Sequence, residues 1–281
     1  MRIIKRKQAN KEYYYIQHSY RKNHKVITKQ KYLGTEIPKE IEDIKKQIER
    51  EIKKHLYQQL ENIKEKFHKE WERTPETIKE KQKQEIAITF TYNTNAIEGS
   101  TITLEETREI VKDQLSPNKS LRDVKETEKH YKIFLQMLQN KEDITNELIL
   151  KWHKDIFEET KEEISGKYRE YLVRVGSYLA PDWQDVKKLM NRLIKYTNTE
   201  RINEVELAAI THYRFEKIHP FGDGNGRIGR LLLNYILWNN KYPMIIIEKR
   251  KRKAYYKALN KNEEEFVKYF VRLYLKVHKL H

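Results

Sequence analysis

From Ile41 to Trp71 the apolar residues recur in steps of three and four: Ile41, Ile44, Ile48, Ile52, Leu56, Leu60, Ile63, Phe67 and Trp71, with charges filling the remaining faces. This spacing keeps one stripe of a 3.6-residue helix apolar, so the chain commits to at least one long amphipathic helix, closed by Pro75. The same periodicity predicts helices over 80–97, 123–139, 146–158, 183–197, 203–217, 226–239 and 264–278. Gly99 supplies a left-handed cap to the first of these. Thr103, followed by Glu106, forms a capping box that starts another helix. With only 8 glycines and 6 prolines in 281 residues, the turn-rich architecture of a β-sandwich is disfavoured and a mainly α fold is expected.

Two segments depart from the helical pattern. Residues 13–16 and 26–33 are rich in β-formers and flank the polar stretch Arg21-Lys22-Asn23-His24. They read as a small basic β-hairpin ending at Gly34. The run from Tyr168 to Leu179 carries β-branched and aromatic residues around Gly176 and reads as a second hairpin, projecting from a helical core. The expected division is a basic hairpin segment over 1–37, the long helix over 38–80 and a main domain over 81–281.

Net charge is +16, unevenly spread: residues 1–34 hold ten lysines and arginines against one acid, Glu12. Such an appendage suits a polyanion such as nucleic acid, and it equally suits a solvated face. The stripe of the long helix can cover the main domain or pair with a second copy in a homodimer. Absence of cysteine excludes disulfides, thiolate catalysis and Cys–zinc sites. No uncharged apolar run approaches the ~18 residues that a membrane span needs, and the basic start lacks the apolar stretch of a secretory signal. A cytoplasmic protein with no membrane association is expected.

The chemistry concentrates in His219-Pro220-Phe221-Gly222-Asp223-Gly224-Asn225-Gly226-Arg227-Ile228-Gly229-Arg230. Apolar residues before and after it (Leu207, Ala208, Ile210, Phe215 and Ile218; Leu231 to Leu233, Tyr235 to Leu237) place a glycine-rich loop between two helices. Backbone N–H groups at a helix start, with its dipole, attract anions. Arg227 and Arg230 add phosphate contacts. Asp223 offers the hard oxygen that Mg²⁺ accepts beside phosphate oxygens. His219, with an ordinary pKa of ~6.5, can remove a hydroxyl proton near neutrality.

This stretch resembles the Fic family signature, His-x-Phe-x-(Asp/Glu)-Gly-Asn-Gly-Arg-x-x-Arg, at every fixed position. The lead-in from His212 to Ile218 and Gly166-Lys167-Tyr168-Arg169 are similar to the family as well, over about residues 85–275. The resemblance implies a helical Fic core and transfer of AMP from ATP, with Mg²⁺, to a Ser, Thr or Tyr hydroxyl of a protein, self-modification included. It gives His219 the role of base and Phe221 that of loop anchor. Asp223 holds Mg²⁺; Gly224, Asn225 and Gly226 cradle phosphate, assisted by Arg227; Arg230 engages the γ-phosphate. Tyr255 and Tyr256 match a tyrosine pair beside the adenine. The hairpin (about 167–179) becomes a flap whose edge, Val173, Val175, Gly176, Ser177 and Tyr178, pairs with the target segment.

Thr94-Asn95-Ala96-Ile97-Glu98-Gly99 resembles the family's inhibitory motif, carried here on a helix over about 85–99. It implies that Glu98 pairs with Arg230 and withholds it from ATP. Members with this glutamate also remove AMP from modified targets, and others transfer phosphoryl or other nucleotidyl groups. Kinase-type members carry Lys where this chain has Gly226 and lack the second arginine. A different class of reading remains beside these, a regulator acting chiefly through nucleic acid bound at residues 1–34.

Overall fold

The computed structural model describes residues 1–8, 10–22 and 25–278. Two compact units divide the chain, Met1–Glu61 and Asn62–His281. In the first, β1 (Arg2–Gln8), β2 (Lys11–Lys22) and β3 (Lys25–Gly34) form an antiparallel sheet in the order β1-β2-β3. The expected hairpin is β2–β3, lengthened and joined by a strand that the sequence did not announce. Arg2 pairs with Gln17 and Gln8 with Lys11 across β1–β2. The polar turn expected at Asn23-His24 lies outside the described residues. A bulge between Tyr14 and Tyr15 shifts the β2–β3 register. The helix α1 (Ile41–Arg73) follows, and Ile16 and Ile48 are buried in this unit.

The second unit takes α1 from Asn62 onward. Phe67 and Trp71 pack edge-on to Trp238 at centroid distances of 6.2 and 5.3 Å, which fixes the end of the amphipathic stripe on the main domain. Next come α2 (Glu76–Ile97), α3 (Leu104–Arg108) with a π-turn to Asp113, α4 (Leu121–Gln139) and α5 (Asn146–Phe157). The short strands β4 (Arg174–Val175) and β5 (Tyr178–Leu179) precede α6 (Trp183–Thr199), α7 (Glu204–Ile218) and α8 (Asn225–Asn239). A 3₁₀ turn over Lys249–Lys251 leads into α9 (Arg252–Leu259), and α10 (Glu263–Val277) is the last element among the described residues. The expected helix ends fall close to these because polar caps set them. Thr103 and Glu106 form the reciprocal capping box, and Ser120, Thr145, Asp182, Asn203 and Asn262 cap α4, α5, α6, α7 and α10. In α8 nearly every side chain is buried, from Asn225 to Leu237, as expected of a helix at the centre of a bundle. Among the described residues no helix is long and apolar enough to cross a membrane.

Candidate active site

α7 and α8 enclose the loop 219–224, and the turn between them is tight. His219 ends α7 in the left-handed region (φ 51°), its N–H donating to Phe215 O at 2.9 Å. Phe221 is fully buried and stacks on His153 of α5 with centroids 3.8 Å apart and planes 9° from parallel. His153 Nδ1 accepts from Gly166 N–H at 3.0 Å. Its Nε2 therefore carries the proton and donates to Asp223 O at 3.0 Å. Burial holds this imidazole neutral down to about 4.

The side chain of Asn225 exchanges two hydrogen bonds with the backbone of Phe221, donating at 2.8 Å and accepting at 2.9 Å. It shapes the loop rather than reaching outward, so what residues 225–227 can offer an anion is main-chain N–H. Gly224 precedes the helix at φ 79°, where a Cβ would also strike the Phe157 ring. The first bond of the helical ladder joins Ile228 N to Gly224 O, leaving the N–H groups of Asn225, Gly226 and Arg227 without helical acceptors.

His219 Nδ1 lies 3.4 Å from Glu216 O. A carbonyl can only accept, so the proton belongs on Nδ1 and Nε2 keeps its lone pair. Burial lowers the pKa of His219 below 6.5, only partly opposed by that contact, so the ring is neutral at pH 7. Glu216 itself has one oxygen sealed from solvent without a partner, and burial raises its carboxyl to about 7.

Arg230 is 2% exposed and held by the last turn of α2. Its Nε donates to Thr94 Oγ1 at 2.7 Å, and its Nη2 donates to Thr94 O at 3.1 Å and to Glu98 Oε1 at 2.7 Å. Burial opposes its charge, but the Glu98 carboxylate outweighs this and raises the guanidinium pKa. Glu98 lies so close over Gly226 that a Cβ there would collide with Oε1. The glutamate thus stands at the head of α8 where an anion would settle, and Gly226 is the residue that admits it. Nη1 of Arg230 is buried and unpartnered.

Arg227, also buried, is paired with Glu126 of α4 and lies 4.4 Å over the Phe157 ring. Despite burial, that pairing and Lys161 lower Glu126 to about 2. Asp223 is half-exposed, with Lys161 Nζ 2.8 Å from its Oδ2; burial would raise its pKa, but Lys161 and Arg227 hold it low. Lys161 also reaches Glu126 Oε1 at 2.9 Å. Tyr255 is buried and bonded to His212 Nε2 at 2.7 Å, with Arg230 6.0 Å from its ring; the Tyr256 hydroxyl lies 3.4 Å from Glu98 Oε2. Asn262 is an N-cap.

The hairpin expected over 168–179 is reduced to two strands of two residues, turning at Gly176 (φ 60°) and Ser177. Val175 is exposed, while Tyr178 donates to Lys217 O at 2.9 Å. Residues before β4 are claimed by another residue, Arg169. Buried, it donates from Nε to His219 O at 2.9 Å, from Nη1 to Tyr171 O and from Nη2 to Pro181 O, both at 2.6 Å. Its backbone N–H donates to Pro220 O at 2.9 Å. One guanidinium therefore joins both roots of the hairpin to the backbone of His219. Arg169→Lys, which cannot serve three carbonyls in that geometry, is expected to destabilise by ~2–4 kcal/mol, at ~1–3 per orphaned group. Denaturant unfolding measures this; a loss below about 1 kcal/mol would make the knot incidental.

Residues 143–237 match the model of the Fic/DOC family. Curated relatives named protein adenylyltransferase Fic include one from Nematostella vectensis, 34% identical over 189 residues, covering 64% of this chain and 44% of the relative. Another, from Drosophila melanogaster, is 35% identical over 202 residues, covering 68% and 40%. The chain spans less than half the length of these curated relatives. A fragment of Fic-1 from C. elegans superposes with a TM-score of 0.72 at 26% identity, covering 85% of this chain and 74% of the fragment. A Fic-domain-containing signalling protein from Bacteroides thetaiotaomicron gives 0.69 at 26%, covering 79% and 95%.

Proposed function

The chain contains a domain of the Fic/DOC family, and on that premise we propose that it transfers AMP from ATP to a Ser, Thr or Tyr hydroxyl of a protein, itself included, under restraint by Glu98. The observation that carries the reading is one neutral imidazole, Nε2 free, ending α7 beside a loop that leads into three helix-starting amides without helical acceptors and the buried Arg230, a set of groups suited to an anion. The curated relatives named protein adenylyltransferase support it.

In this mechanism the target hydroxyl attacks the α-phosphorus in line. His219 Nε2 takes the hydroxyl proton, the new O–P bond forms, and the bond to the β-phosphate oxygen breaks to release pyrophosphate. Amides of residues 225–227 stabilise charge on the non-bridging oxygens, and Arg230 orients the γ-phosphate. Asp223 fits Mg²⁺ in kind: an ionised, half-exposed carboxylate can share the ion with phosphate oxygens and water. When bound, the ion would neutralise phosphate charge, at a carboxylate whose Oδ2 is approached by Lys161 at 2.8 Å and Arg122 at 3.6 Å. Glu126 keeps Arg227 ordered beside this point. Tyr255 and Tyr256 would border the base. Val173 to Tyr178 would pair with the target strand, their place relative to His219 set by Arg169.

The Gly226–Glu98 contact favours AMP transfer over kinase chemistry, since a lysine at 226 would evict Glu98. Parallel incubations with ATP labelled at the α- or the γ-phosphate test this. Label is expected on protein from the α-phosphate only; transfer from the γ-phosphate would overturn the assignment.

A further inference from the structure

The N-terminal sheet has two unlike faces. Ile3, Lys5, Glu12, Tyr14, Ile16 and His18 share one. There Lys5 and Lys7 pair with Glu12, Ile16 is fully buried, and Glu51 of α1 lies within electrostatic reach of His18. That is the face turned to the helix. The other carries Arg2 and Arg6 on β1, Tyr13, Tyr15 and Gln17 on β2, and Gln30 and Tyr32 on β3, as the register requires.

Contacts on this second face agree with the register. Arg2 Nε donates to Gln17 Oε1 and Arg6 Nη2 to Gln30 Oε1, both at 2.7 Å. Arg6 lies 5.1 Å over the Tyr15 ring, and the Tyr32 ring is 5.3 Å from Tyr15 and 6.2 Å from Tyr13. Neutral amides position both guanidinium groups without cancelling their charge. The single acid of residues 1–34, Glu12, is turned to the opposite face. Tyr32 is 53% exposed, although a tyrosine in a chain of this kind gains by burial. Three rings, Tyr32 exposed and Tyr13 and Tyr15 half-buried, and two exposed guanidinium groups with no acidic partner among the described residues share one face, with exposed Lys11 at its end, and match a ligand that alternates anions with flat aromatic groups.

We propose that this face binds single-stranded nucleic acid, with phosphates on Arg2, Arg6 and Lys11 and bases stacked on Tyr13, Tyr15 and Tyr32. The single strand follows from the rings: a base inside a duplex has both faces covered, whereas an unpaired base can lie on an aromatic side chain. An acidic protein segment would satisfy the arginines and leave the tyrosines unused. The binding is independent of the transferase reading and does not involve the catalytic loop.

The test is fluorescence anisotropy of the full chain with a fluorescein-labelled oligothymidylate of about 12 nucleotides, within the usual site sizes. The strand should bind more tightly than a duplex of equal length, and log K should fall with log salt at a slope of about −2 for three phosphates. Tyr15→Ala with Tyr32→Ala should weaken binding about tenfold or more. Arg2→Glu with Arg6→Glu should weaken it far more than Lys7→Glu with Lys31→Glu, an equal change of charge on the opposite face. If the alanine pair loses the sheet by circular dichroism, Tyr32→Leu, which keeps an apolar side chain without a stacking ring, is used instead. Equal effects of the two charge reversals, preference for the duplex, or displacement by polyglutamate as readily as by unlabelled strand would each overturn the proposal.

Discussion

Glu98→Gly is expected to raise AMP incorporation about tenfold or more, since each tenfold corresponds to only ~1.4 kcal/mol of Arg230 availability restored. The wild-type guanidinium is already engaged by Glu98 at 2.7 Å and by both oxygens of Thr94. Removing one partner from a fully buried pair costs ~3–5 kcal/mol. The Glu98 side chain is 31% exposed and Thr94 retains two bonds, so the folding cost here is smaller, and a nucleotide phosphate can replace the lost anion. Arg230→Ala should not reproduce the gain, because it frees no ligand. The double variant should be as poor as Arg230→Ala alone, the non-additivity of a coupled pair. Incorporation of α-labelled AMP reads all three. A glycine variant no faster than its parent would leave Glu98 an ordinary helix-end residue.

His219→Ala should lower the transfer rate by ~10²–10⁴, the usual worth of a general base, while ATP affinity changes little. In the proposed mechanism Nε2 receives the proton of the incoming hydroxyl, and no role in holding nucleotide is assigned to it. The pH dependence follows from the direction of the shift. Burial lowers the His219 pKa below 6.5, so the neutral imidazole predominates at pH 6.5 and above and is lost as pH falls through the lowered value. The wild-type rate should be level around neutrality and decline as pH falls through that lowered value, and the alanine variant should lack that decline. An alanine variant at near-parental rate, or one that loses ATP binding in calorimetry, would remove His219 from the role of base.

Helices were legible because their apolar stripes and polar caps are local, as at Thr103. The loop 219–230 was legible because so much of its chemistry is contiguous. Glu98, 132 positions from Arg230, was placed through a short motif. What was not legible depends on partners distant in sequence. Arg227 and Glu126 are separated by 101 positions, Arg169 and His219 by 50, and His153 and Asp223 by 70. No periodicity flags a buried cation whose acceptors are backbone carbonyls. Lys161 reads as one more surface lysine until Asp223 and Glu126 meet it. β1 escaped because Arg2-Ile3-Ile4-Lys5-Arg6-Lys7 lacks strict alternation; its pairing with β2 makes it a strand. The flap was overextended because Arg169 draws the backbone before β4 toward Pro220.

The His153 prop beneath Phe221 carries a consequence for acid tolerance. An unfolded chain protonates such an imidazole near 6.5, whereas the folded protein keeps it neutral to about 4. Between those values the unfolded state holds the extra proton, so folding free energy falls by ~1.4 kcal/mol per pH unit, ~3 kcal/mol across the window. Below about 4 the imidazolium can no longer accept from Gly166 N–H through Nδ1, and the catalytic loop loses the ring on which it rests. Mild acidification therefore erodes the free energy that holds the loop, in addition to protonating His219.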